Sequence, residues 1–170
     1  MHRSLIRRFL VVALTMAVFL GSGITDASAT SLNGANRFSN APLLPHGEGR
    51  YTGNNLTATK QAGEPNHAGD DGGASVWYRF RVSFNQPVRI TTRRSNFDTL
   101  LAVYRGPDVR HLSLVRANDD TAGLDPSGLT SRVQFPAQAG VTYRIAVDGY
   151  DFNTGDGPDR GQIVLNIVSP

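Results

Sequence analysis

The sequence predicts an all-β fold, a two-sheet antiparallel β-sandwich of jelly-roll type with about eight strands. Two patterns carry this expectation. Apolar and polar residues alternate with period two through Ser75–Val82 and Thr142–Asp148, as strands with one buried face do. Further short apolar runs are separated by Gly, Pro, Asn and Asp turn signals, and no long helical period interrupts them, which favours two packed sheets.

Residues 1–29 read as a secretory signal outside the fold. Arg3, Arg7 and Arg8 give a positive start, Phe9–Leu20 an apolar run, and Ala27-Ser28-Ala29 an A-x-A cleavage site. A run of about a dozen apolar residues is short for a membrane span. The expectation is a secreted or periplasmic protein beginning at Thr30, with no membrane insertion after cleavage. Losing three of 17 basic and one of 14 acidic residues leaves 14 against 13. That balance gives no broad attraction to nucleic acid or anionic lipid. Cysteine is absent, so an exported domain has no disulfide staple, and bound metal is one remaining source of rigidity.

Residues 30–52 form an Asn/Ser/Ala-rich lead-in anchored by Phe38, Leu43 and Leu44, and the sandwich is expected over 53–170. Asn55–Lys60 is read as a short edge strand. Gln61–Ala74 is a long polar loop carrying Glu64, Asn66, His67, Asp70 and Asp71; loops of this length tend to be functional or mobile. In the strand that follows, Val76, Tyr78, Phe80 and Val82 face the core, and Trp77, Arg79 and Arg81 the other side. Trp77 is expected to be partly buried between sheet and loop. Val88, Ile90, Val133 and Phe135 continue the pattern; Tyr143, Ile145 and Val147 form the next apolar face, and Ile163, Leu165 and Ile167 close the domain.

Asp98–Tyr104 and Leu112–Asn118 read as a hairpin around Gly106-Pro107-Asp108. Placing Tyr104 opposite Leu112 or Ser113 and counting back sets Asp98 near Asp119, with Asp120 adding a third charge. Carboxylates facing one another across a ladder repel unless a cation or donor lies between them.

The motifs GEPNHAG (Gly63–Gly69), SVWYRF (Ser75–Phe80), FDTLLAVY (Phe97–Tyr104), NDD (Asn118–Asp120), SRVQF (Ser131–Phe135) and TYRIAVDGY (Thr142–Tyr150) occur in that order. Together they resemble the bacterial pre-peptidase C-terminal domain family over roughly residues 36–168. The resemblance implies a secreted, calcium-associated β-sandwich, usually appended to peptidases or repeated in surface proteins, with the collagen-binding modules of secreted collagenases as distant relatives. Here the domain is expected to stand alone.

Glu64, Asp98, Asn118, Asp119, Asp120 and Asp148 are the candidate ligands of a Ca²⁺ ion, which takes six to eight oxygens from such groups. The plainer reading makes these residues turn formers and strand-end caps. The run Asp151–Gly157 does not fit an EF-hand loop, because Gly155 and Asp156 stand at its fifth and sixth positions. No catalytic residue is assigned: neither a Ser nucleophile elbow in the mature chain nor H-E-x-x-H is present. The rival is a small secreted hydrolase using Asp98 and Asp119 as acid and base. Arg79, Arg81, Arg144 and Arg93-Arg94 read as solvated sheet faces, with a stripe for acidic polysaccharide as the sharper alternative. The expected role is non-enzymatic binding of extracellular protein or polysaccharide, or service as accessory to a separately encoded secreted peptidase. Intact-mass analysis of exported protein is expected to give a chain starting at Thr30; Met1–Ala29 retained on soluble cytoplasmic protein would remove the export reading.

Overall fold

The computed structural model describes residues 28–45 and 47–170, so most of the expected signal lies outside the described residues. Among the described residues, nine strands build a two-sheet sandwich: β1 (Thr30–Ser31), β2 (Gly49–Asn54), β3 (Val76–Phe80), β4 (Gln86–Thr91), β5 (Thr99–Arg105), β6 (Ser113–Asn118), β7 (Arg132–Ala137), β8 (Tyr143–Gly149) and β9 (Gln162–Val168). One sheet has the order β1-β2-β9-β4-β7 and the other β3-β8-β5-β6. All pairings are antiparallel except β1 with β2.

The alternating residues meet between the sheets. Tyr51, Val88, Ile90, Val133, Phe135, Ile163, Leu165 and Ile167 come from the first sheet, and Val76, Tyr78, Phe80, Leu101, Val103, Tyr143, Ile145 and Val147 from the second. Arg79 and Arg144, one residue out of phase and paired with each other across β3 and β8, lie on the opposite face.

That face has a cover of its own. Trp77, Ala102, Tyr104 and Ala146 pack there with Phe38, Ala41 and Val109, and Trp77 is fully buried rather than partly so. The lead-in makes this cover by running along the free edge of β3. Ala35 and Trp77 exchange backbone hydrogen bonds of 3.0 and 2.8 Å, Arg79 N–H donates to Pro42 O, and Leu44 N–H to Arg79 O. An unpaired strand edge exposes a row of donors and acceptors, and this segment occupies it. Phe38 meets Trp77 edge-on at 5.2 Å and carries the Arg144 guanidinium over its ring at 4.2 Å. Arg79 Nε donates to Ala41 O. These two arginines therefore brace the cover.

The strand expected at Asn55–Lys60 instead lies just before it, at Gly49–Asn54. Gly53 is there because the chain passes close by: an added Cβ would meet Asn33 Cα and Tyr78 Oη, each at 3.1 Å. Ile145 is fully buried at the centre of the core. Ile145→Ala is expected to cost about 2–5 kcal/mol in urea unfolding; a loss under ~1 kcal/mol would contradict the packing.

Candidate functional site

The start of β5, the ends of β6 and β8 and the start of β3 share one end of the four-stranded sheet, since Thr99 pairs with Gly149, Leu101 with Asn118 and Val76 with Val147. Asp98 immediately precedes β5, and Asp119 and Asp120 immediately follow β6. The three offer carboxylate oxygens that all lie within 4.8 Å of one another.

The hairpin register differs from the simple count. A bulge between Val103 and Tyr104 sets Tyr104 opposite Leu114 and Leu101 opposite Asn118, so Asp98 and Asp119 are not a ladder pair. They converge past the strand ends, where backbone restraint is weaker and the turn after Asn118 can bring both Asp119 and Asp120 inward.

Asp98 is 5% exposed, and its backbone is held on both sides: its N–H donates to Asp159 Oδ2 at 2.8 Å, and its carbonyl accepts from Tyr150 N–H at 3.1 Å. Its Oδ1 is buried without a hydrogen-bond partner, as is Oδ1 of Asp119. Burial first, then the charges of Asp120, Asp119, Asp159 and Asp70, push the Asp98 carboxyl up to about 6. Asp119 is raised by burial and by Asp120 and Asp70. Both buried oxygens thus lack a donor in a field made by other carboxylates.

The other residues expected at the site are engaged elsewhere. Asp148, fully buried, accepts through Oδ1 from the N–H groups of Ala74 at 2.6 Å, Gly149 at 2.8 Å and Gly73 at 3.1 Å. A Cβ at Gly72 would collide with its Oδ2, so the loop lies directly on the carboxylate. Burial raises Asp148, and these backbone donors work against the rise. Glu64 Oε2 accepts from Gln61 N–H at 2.8 Å, and its Oε1 meets His67 Nε2 at 2.9 Å. His67 Nδ1 lies 2.8 Å from the Tyr104 hydroxyl. With Tyr104 donating to Nδ1 and Nε2–H donating to Glu64, this buried chain is satisfied end to end. Asn118 Oδ1 accepts from Thr121 Oγ1 at 2.6 Å and from Arg132 N–H at 2.8 Å, and its amide donates to Asp120 O at 3.1 Å. It braces the turn that carries Asp119 and Asp120.

Two residues join the site that the candidate set omitted. Asp159 holds the Asp98 backbone, and Asp70 Oδ1 accepts from Gly72 and Asp151 N–H groups at 2.8 and 3.0 Å. Their only sequence signal is membership of two Gly- and Asp-rich loops, Gln61–Ala74 and Asp151–Gly161.

No family model and no curated protein matches the chain. Among solved structures it is similar to the pre-peptidase C-terminal domain of a Bacillus anthracis collagenase, with 14% identity, a TM-score of 0.45, and coverage of 84% of this chain and 96% of that one. It is also similar to PliG, a periplasmic inhibitor of g-type lysozyme. The Aeromonas hydrophila protein has 12% identity, a TM-score of 0.42, and coverage of 83% and 100%. The Salmonella Typhimurium protein has 15% identity, a TM-score of 0.37, and coverage of 75% and 97%.

Because the folded state binds the Asp98 proton more tightly than the unfolded chain does, the Asp98 contribution to metal-free stability falls as pH rises from roughly 4 to 6 and is fully lost above that window. In chelator, Asp98→Asn is therefore expected to melt several degrees above wild type at pH 7.5, with the gap closing towards pH 4. A gap independent of pH would mean that Asp98 is not titrating in this window.

Proposed function

We propose that the protein is an exported, non-catalytic binding or accessory module whose carboxylate end holds a structural Ca²⁺ ion, and that it acts at or outside the cell surface on protein or glycan. The observation that carries the metal reading is the convergence of Asp98, Asp119 and Asp120 within 4.8 Å, with buried, donorless oxygens on two of them. A cation converts the repulsion among these groups into attraction and supplies the partner that both oxygens lack. The donors are all hard oxygens, and no His belongs to the group, which suits Ca²⁺ better than Zn²⁺. Asp98, Asp119 and Asp120 would bind the ion directly. Asp159 and Asp70 add negative potential, and Asn118 keeps the turn in position. Such an ion would tie together the start of β5, the end of β6 and, through Asp159, the loop after β8.

The raised Asp98 is also what an acid catalyst would need, but the geometry favours a metal. Retaining glycosidases set their carboxyl groups about 5–5.5 Å apart across a bound sugar, and inverting ones wider. Here three carboxylates crowd closer than that, and one is almost wholly covered.

With free ion at about 100 times the dissociation constant, binding contributes roughly 2.7 kcal/mol. For a domain of this size that is expected to raise the melting temperature by about 5–15 °C relative to chelator at pH 7.5. Asp98→Asn and Asp119→Asn are expected to lose most of that rise. A wild-type melt indifferent to calcium, or Asn variants with the full response, would sink the metal reading.

A further inference from the structure

On the outer face of the five-stranded sheet, Arg50 pairs with Asn166, Asn166 with Thr91, and Thr91 with Arg132. Direct pairing places all four side chains on one face, in a row across β2, β9, β4 and β7. At about 4.8 Å per strand the row spans roughly 14 Å. Arg89, two residues before Thr91, lies on the same face, and the turn after β4 adds Arg93 and Arg94 beyond the row. Together with Leu124, Asn166 and Val168, these residues line a concavity of about 370 Å³ that contains five arginines and no acidic or aromatic side chain.

The turn that delivers two of the arginines is specifically shaped. Arg94 adopts φ +76°, a left-handed conformation that L side chains rarely take. Ser95 N–H closes the turn onto Thr92 O at 2.9 Å, and the Asn166 amide donates to Arg93 O at 3.2 Å. Strain of this kind persists where surrounding contacts hold it, and it clusters at binding sites.

We propose that this face is a second binding site, for an acidic polysaccharide laid across the strands with its carboxylate or sulfate groups on Arg89, Arg93 and Arg132. Guanidinium forks take both anions bidentately, and charges on two neighbouring strands and the turn beyond them match a polymer with repeated charges better than a single small anion. The lining offers no aromatic platform on which nucleobases could stack. β9 and β4 are each paired on both sides, so no ladder edge is open in the middle of this face for an added peptide strand. The site belongs to the sheet opposite Asp98 and does not depend on a cation being bound there.

The test is titration in chelator at low salt with polygalacturonate, a carboxylate polymer, and with heparin, a sulfated one; duplex DNA and poly-glutamate serve as polyanions of other classes. Binding to polygalacturonate, heparin or both is expected, and identifies the anion. The Arg93→Gln/Arg132→Gln pair is expected to bind at least tenfold more weakly. Removing two guanidinium–anion pairs is also expected to make the log–log salt slope shallower by roughly 1.4. Arg105→Gln, on an exposed residue of the other sheet, is expected to bind like wild type. If the Gln pair melts below wild type, the Arg93→Lys/Arg132→Lys pair replaces it, keeping charge while losing the forks, and is expected to bind more weakly at an unchanged melt. No binding to either polysaccharide, equally tight binding of DNA or poly-glutamate, or a weakening in the Arg105 variant as large as in the Gln pair would each overturn the proposal.

Discussion

Under the long loop Gln61–Ala74 lies a fully buried carboxylate, Asp148, whose charge is met by backbone N–H groups of Gly73, Ala74 and Gly149. A carboxylate removed from water without such donors would be severely penalised. Here two of the three come from the loop itself, so solvating Asp148 and placing the loop are one event. Once placed, the loop sets Glu64 and His67 against Tyr104 and Trp77, roofing an outer sheet face that would otherwise be wet. It also brings Asp70 within electrostatic range of Asp98.

The two groups of acidic residues are treated in opposite ways. Glu64 and Asp148 have donors for their charge and act as internal pegs. Asp98 and Asp119 have buried oxygens without donors, and the surrounding charges make their ionisation harder. A few ångströms of backbone placement separate a residue that stabilises a loop from one that waits for a counter-charge. All four are carboxylates, so side-chain chemistry alone does not separate them.

The core was legible in the sequence because period-two alternation is a direct image of a sheet with one buried face. Tyr78, Phe80, Ile145 and Val147 are buried, with Arg79 and Arg144 on the far side. The meeting of Asp98 with Asp119 was legible too, because a hairpin limits where its ends can be. The bulge at Val103/Tyr104 was not, since it leaves no composition signal and shifts the pairing. Full burial of Trp77 depends on the lead-in docking along β3, a contact between segments some forty residues apart with no local pattern to mark it. β2 escaped notice because Gly49 and Gly53 resemble turn residues, whereas Gly53 serves close packing. The arginine face emerges only from the register of four strands distant in the chain.

The five-stranded sheet also has a consequence for the timing of folding. Its interior strand β9 is residues 162–168 and lies between β2 and β4; beside that ladder, Asn55 binds Gly161, 106 residues away. Until β9 arrives, β2 has no antiparallel neighbour and β4 lacks one flank. Contacts of such long range form late, because the chain between them must be ordered first. The early strands of this sheet therefore stay unfinished until residues 162–168 have joined them. The order of strands in the sheet thus acts as a built-in delay on folding.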